Sequence, residues 1–313
     1  MPDGDNLERA IVSIKEIPVR VVGPGSQPGA EADAPLYIDM PSEMSQYTTP
    51  LIPDPDDVRD LDGAREAMQW LQRALDGFGN VAGPQLANLN LLDATNRELI
   101  NQILGEGEVS ITFAGETSAR TQEAVLAGVW RTLYADPDGQ TTLDMLEVAA
   151  VPHIIHVEDR KRSAIDTSLT DSSGKFTNAM PILVELAASC ERYQREGTPH
   201  SVNLTLLPLS DEEVEYLDSR LGRGPVDILS RAYGKCQVIS TMTPDVWWVR
   251  YYNAMGTLIL NTLEVIDVPQ VIAAAPEDLK DSASRLKEIP VSYTHLTLPT
   301  IQHWCRSRWS AYH

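Results

Sequence analysis

Basic residues are scarce in this sequence. Its 313 residues include 45 aspartates and glutamates but only 25 lysines and arginines, giving a formal charge of -20 and a pI of about 4.6. Such a surface repels phosphate backbones, which excludes nucleic acid as a partner and favours basic ones. Cysteine is scarcer still: Cys190, Cys236 and Cys305 stand far apart and form no CxxC pair. That excludes a disulfide framework, and a zinc or iron–sulfur site built by this chain alone. No apolar run approaches the roughly 20 residues a membrane span needs. The start, Met1-Pro2-Asp3-Gly4-Asp5, lacks the basic and apolar regions of a secretory signal, so a cytoplasmic protein is expected.

Hydrophobic residues make up 42% of the chain, ample for a large core, but they are unevenly spread. Residues 1–63 hold few periodic apolar positions. A strand-like run, Ile17-Pro18-Val19-Arg20-Val21-Val22, leads into Gly23-Pro24-Gly25-Ser26-Gln27-Pro28 and then the acidic stretch around Pro53-Asp54-Pro55-Asp56-Asp57. This composition reads as an extended arm or linker. Its acidic cluster, Asp54, Asp56, Asp57 and Asp60, is the most concentrated negative stretch and a candidate for steering basic partners. The other end differs in kind. Val291–Thr300 matches one translated frame of a sequencing transposase adapter, and Ile301–His313 brings Trp304, Trp309 and a basic bias. Residues 291–313 are expected to be non-native, packing poorly, and are set aside. Without Arg306 and Arg308, 23 basic residues face 45 acidic ones, a balance of -22.

Between these ends the sequence repeats. Leu104-Gly105-Glu106-Gly107-Glu108-Val109 recurs as Leu221-Gly222-Arg223-Gly224-Pro225-Val226, a shift of 117 residues. The same shift carries Val129-Trp130 onto Val246-Trp247, Tyr134 onto Tyr251, Gly139 onto Gly256, Leu146-Glu147-Val148 onto Leu263-Glu264-Val265, and Val151-Pro152 onto Val268-Pro269. Slightly upstream, residues 87–92 answer 202–207 at a shift of 115. This is an internal duplication. The expected fold is α+β: unit one over 64–158, a linker over 159–176, and unit two over 177–290, each in the order α-β-α-β-β-β.

Within each unit the first helix carries an apolar face, Trp70, Leu71, Ala74 and Phe78 in one and Met180, Leu183, Val184, Ala187 and Cys190 in the other. A short strand follows, over 87–92 and 202–207. The second helix starts at Asp93 or at Ser210, where Ser210 and Glu213 spell a capping box. It stops at Gly105 or Gly222, expected in the left-handed conformation. Three strands complete the unit, the last two joined through Asp136-Pro137-Asp138-Gly139 or Asn253-Ala254-Met255-Gly256. A last helix around Ala275–Ile289 is expected to pack on unit two.

Candidate chemical groups are few. The glycine pairs follow a helix and open a strand, the reverse of a dinucleotide-binding turn, so they read as helix stops. His153 and His156, with Glu158 or Asp159, could hold a metal, but the second unit has Gln270 and Ala273 there, so no metal or other cofactor is expected. Glu147 and Glu264 could share a proton if the units met face to face. The plainer reading is alternation, with Leu146 and Val148 inward and the glutamate outward. Three histidines precede the foreign end, His153, His156 and His200, and no catalytic triad can be assembled from them. Trp130 and Trp247 read as core anchors. Trp248 stands opposite Arg131 in the repeat, so it should face the other way, a candidate exposed anchor for a partner.

Four segments together resemble the HupH/HyaF family of hydrogenase expression and formation proteins. They are Val22–Pro28; Leu104–Ser110 with Gln122-Glu123-Ala124; Pro199–Thr205 with Leu207-Pro208; and Ala275–Ser282. The likeness spans roughly residues 18–289, and departs from the family where the foreign end cuts the last helix short. It implies a non-enzymatic assembly factor for a nickel–iron uptake hydrogenase, holding the iron–sulfur small-subunit precursor, with its twin-arginine leader, before export. The alternatives are a scaffold that joins other maturation proteins, and a metal-handling or processing enzyme.

Overall fold

The computed structural model describes residues 61–80, 83–115, 117–157, 163–167, 174–231 and 234–288. The acidic cluster at Asp54, Asp56, Asp57 and Asp60, the pair Glu158 and Asp159, and the segment 291–313 lie outside the described residues.

The first half runs α1 (Asp62–Asp76), β1 (Gln85–Asn88), α2 (Ala94–Leu104), β2 (Val109–Ala114), β3 (Ser118–Glu123), β4 (Val129–Ala135) and β5 (Thr141–Val148). The second half runs α3 (Ala179–Glu196), β6 (His200–Asn203), α4 (Asp211–Leu221), β7 (Arg223–Ser230), β8 (Lys235–Thr241), β9 (Val246–Tyr252) and β10 (Leu258–Val265); α5 (Pro276–Glu288) follows. All ten strands form one antiparallel sheet in the order β1-β5-β4-β3-β2-β7-β8-β9-β10-β6. The halves join where β2 pairs with β7, Ile111 opposite Ile228. The class is α+β.

Each half has one more strand than expected. The additional strand is β3, with β8 in its place in the second half. In Ser-Ala-Arg-Thr-Gln-Glu only Ala119 is an apolar inward residue; Thr121 and Glu123 share its buried face. Their polarity hides the strand from a hydrophobic pattern, yet Thr121 is satisfied by the Thr132 hydroxyl at 2.8 Å on β4. β1 and β6 begin two residues earlier than expected and end in tight helical turns, Leu89–Leu91 and Leu204–Leu206.

Local signals behave as chemistry requires. Asp93 accepts the Asn96 N–H, and Ser210 and Glu213 form the full capping box. Gly105 and Gly222 end their helices at φ 54° and 62°, but with ψ of -162° and 165°. Positive φ was expected; the extended ψ takes them out of the left-handed helical well into a region that is essentially glycine's alone. Gly107 and Gly224 serve a different need, since a Cβ there would stand 2.2 Å from the Ala124 carbonyl and 2.5 Å from that of Thr241.

Helices α1 to α5 cover one face of the sheet. In the first half Met68, Leu71, Leu99, Ile100 and Ile103 pack on Val129, Leu146 and Val148. In the second, Ile182, Leu183, Leu186 and Leu217 pack on Val246, Trp248 and Leu263. The buried stripe of α3 therefore differs from the expected one, and Val184 is exposed. A third core occupies the opposite face and crosses the join between halves. Trp130, Ile111, Ile228 and Trp247 lie in it, covered by Ile154, Ile155 and Ile272 from two short turns.

The last helix does not pack where it was expected. Leu279, Ala283 and Leu286 of α5 are buried in the first half's core, against α1. Gln72 donates to the Ala283 carbonyl, Ser282 to that of Ala127 and Arg285 to that of Val125, while Lys287 meets Asp76 at 2.8 Å. The chain that follows the first half behaves reciprocally: Ser163 N–H donates to the Met242 carbonyl and Ile165 packs on the second core. Met242 is Val125 displaced by 117 residues, so each half is clasped at the same loop by the segment that trails the other.

Candidate functional site

Groups suited to chemistry are dispersed. Burial pushes the Cys190 and Cys236 thiols up to about 11, so both are protonated at neutral pH and poor nucleophiles. His153 offers its backbone N–H to the Glu147 carboxylate at 2.9 Å. His156 Nδ1 lies 3.5 Å from Asp267, and His200 Nε2 lies 2.7 Å from Glu185. Among the described residues no group of three or more His, Cys, Asp or Glu could hold a metal ion.

The two repeated glutamates do not point to solvent. Glu147 pairs across the strands with Trp130 and is buried on the Trp130 face, where the turn His153–His156 covers it. Burial raises its pKa, and the His153 N–H partly restores the charged form. Glu264 takes the same place beside Trp247; burial raises it too, opposed by the Thr262 hydroxyl. Six strands stand between β5 and β10 in the sheet. Each carboxylate is thus satisfied within its own half, which removes the basis for a shared proton.

Trp248 faces away from Trp247, as the repeat implied, but it is only 2% exposed and sits under α3 and α4. Its place explains why. In the first half Arg131 holds Asp144 through two hydrogen bonds of 2.9 and 2.7 Å, and Asp144 is buried. In the second half the same two positions carry Trp248 and Asn261, and the indole N–H donates to the Asn261 side-chain Oδ1. One buried cross-strand site is filled by an ion pair in one half and by a neutral pair in the other. Trp248 is therefore a core residue, with Arg250 lying over its ring.

Two of the resemblance segments converge at one corner. Gln122 donates to the carbonyls of Gly107, Val109 and Glu123, tying the start of β2 to the end of β3. Beside it the Glu123 carboxylate accepts the Gly128 N–H at 3.1 Å. Leu279 of α5 lies directly over Gly128, which adopts φ 76° and has no room for a Cβ, since one would stand 2.6 Å from Leu279. Burial lifts Glu123 to about 7; the Gly128 N–H opposes the shift, while Glu108 and Asp278 add to it. Sequence reading passed over Glu123 because its counterpart is Ser240 and the repeat hides it. The signal was its place in Gln122-Glu123-Ala124.

The remaining distinctive surface is apolar. Leu206, Leu207, Met255, Leu258 and Ile259 are exposed around the β9–β10 turn and the end of β6. Among the described residues no helix is long and apolar enough to cross a membrane.

Comparison with known proteins adds an independent finding. The family model described as HupH hydrogenase expression protein, C-terminal conserved region, matches residues 62–169 and 176–292. The chain is similar to the hydrogenase expression/formation protein HoxQ of Cupriavidus necator, 41% identical over 276 residues, 87% of this chain and 96% of that one. It is similar to the hydrogenase expression/formation protein HupH of Rhodobacter capsulatus, 38% identical over 89% of this chain and 98% of that one. The hydrogenase-1 operon protein HyaF of Escherichia coli is 30% identical, over 86% of this chain and 94% of that one. A solved structure, the hydrogenase expression protein HupH from Thiobacillus denitrificans, matches 37% of this chain and 94% of its own at 29% identity, with a TM-score of 0.35.

Proposed function

The chain belongs to the HupH family of hydrogenase expression proteins, and from that premise we propose that it is a cytoplasmic, non-enzymatic holder of the iron–sulfur small-subunit precursor of a nickel–iron uptake hydrogenase. The carrying observation is the likeness to hydrogenase expression/formation proteins over 86–89% of the chain. It supports an accessory role in making a hydrogenase. The finer reading is supported by charge: a chain at -20 attracts a client whose leader is flexible and cationic. The acidic stretch around Asp54, Asp56, Asp57 and Asp60 is proposed to contribute to that attraction, as part of an arm preceding the folded halves.

We also infer that the two halves descend from one duplicated unit. Hydrogen bonds recur at the 117-residue shift. Trp130 Nε1 donates to the Ala149 carbonyl and Trp247 Nε1 to that of Ile266. Val125 N–H donates to the Leu104 carbonyl and Met242 N–H to that of Leu221. The Asp144 backbone N–H donates to the Asn90 side chain and the Asn261 backbone N–H to that of Thr205, the donors at the same shift and the acceptors at the upstream shift of 115.

The test is co-purification of the tagged chain from hydrogenase-producing cells. The small-subunit precursor should be recovered with it, and less of a leaderless precursor. Recovery of other maturation proteins from cells lacking the small subunit would instead establish a scaffold. A purified chain that processes the precursor would overturn the non-enzymatic reading.

A further inference from the structure

We propose that Leu206, Leu207, Met255, Leu258 and Ile259 form a docking surface for an apolar peptide segment flanked by cations. This deepens the reading above by naming a surface, and rests on it only for which protein supplies the segment.

The halves share one exposed leucine here, Leu91 at 85% in the first matching Leu206 in the second, and differ in the hairpin beside it. Met255 is 90% exposed, Leu206 79% and Ile259 56%. Leu206 belongs to the turn after β6, and that turn is anchored to β10 because the Asn261 amide donates to Thr205 Oγ1 at 2.8 Å. Leu258 and Ile259 open β10 beside it, and Met255 stands in the hairpin that precedes them. The five side chains therefore gather at one end of the sheet, next to the edge strand β6.

The fold does not require Met255, Leu258 and Ile259. The first half builds the same hairpin and the same anchored turn, with the Asp144 amide donating to Asn90 Oδ1 at 2.8 Å. Yet at the positions of Met255, Leu258 and Ile259 it carries Asp138, Thr141 and Thr142. Apolar side chains that the fold can do without, left in water as a group, mark an interaction surface.

Charge selects the occupant. Asp211 and Glu212 are exposed at the start of α4, within six residues of Leu206. A second copy of this chain would bring a further charge of -20 and be repelled. An apolar segment with cationic flanks satisfies both features: its side chains cover the leucines and its charges meet the acidic rim.

The probe is a labelled peptide of two arginines followed by a run of leucine and alanine, read by fluorescence anisotropy against the full chain. The proposal expects saturable binding, weakened by added salt and by replacing the arginines with glutamate. The variant M255D/L258T/I259T installs the first half's residues, so its melting temperature should stay unchanged while Kd rises about tenfold or more, the scale of losing anchor contacts. The reverse variant, D138M/T141L/T142I, should bind a second peptide. No peptide binding, or an unaltered Kd in the first variant, overturns the proposal. So does concentration-dependent dimerisation through this face in sedimentation, which would make a second copy the occupant. If the peptide result holds but the small-subunit precursor does not co-purify, the surface stands and the functional reading falls. If the precursor co-purifies equally with the variant, the reading stands and the surface is wrong.

Discussion

Replacing Glu123 with glutamine should make the protein more stable above neutral pH and leave it nearly unchanged near pH 5. Glu123 is enclosed between β3, the loop that follows it and α5, with one backbone N–H to hold its charge. Its pKa of about 7 in the folded protein stands against 4.5 when exposed. Because the folded value is the higher one, the folded chain binds more protons than the unfolded chain between these two values. Stability is therefore lost as pH rises from about 4.5 to about 7, and the loss is complete above that. The difference corresponds to about 3 kcal/mol. Glutamine removes the ionisation and keeps an oxygen for the Gly128 N–H, so the variant should gain up to about 3 kcal/mol over the wild type at pH 8 relative to pH 5. Urea denaturation at the two pH values measures this as a difference of differences, in which the other titrating groups cancel. An equal offset at both pH values would refute the reasoning, because Glu123 would then not change its proton occupancy on folding.

Further outcomes follow from the same packing. Leu279→Ala should cost about 2–5 kcal/mol, the range for a fully buried leucine, and hydrogen exchange should quicken first in α1 of the other half; quickening confined to α3 and α4 would contradict the clasp. Gly128→Ala combines a left-handed backbone with overpacking against Leu279 and should cost about 2–4 kcal/mol by thermal denaturation. Arg131→Trp and Asp144→Asn each break the buried ion pair, but the double variant installs the second half's Trp248–Asn261 solution. It should be less destabilised than the two single losses together, by about 1 kcal/mol or more in a double-mutant cycle. In stopped flow, kon for the small-subunit precursor should fall with added salt, and deleting residues 1–60 should flatten that dependence.

Much of this protein was legible in the sequence because its signals are local and repeated. The caps at Asp93 and Ser210, the glycines at 105, 107, 222 and 224, and the paired tryptophans at 130 and 247 each report a requirement met within a few residues or across one hairpin. The constant shift of 117 then let each signal be read at two places in the chain. Polarity obscured β3, since a strand whose inward residues are Ala119, Thr121 and Glu123 has no hydrophobic period to read. Tertiary structure alone decided the rest. Only the fold brings Leu279 onto Gly128, 151 positions earlier, so no periodicity in α5 could say which half it would cover. Only burial under two helices makes Trp248 a core residue, for alternation tells which face a side chain takes and not what lies over it. The chemistry of Glu123 and the exposure of Met255 and Ile259 have the same origin. Both depend on how much water remains once distant segments have packed, a quantity that belongs to the assembled molecule and to no stretch of its chain.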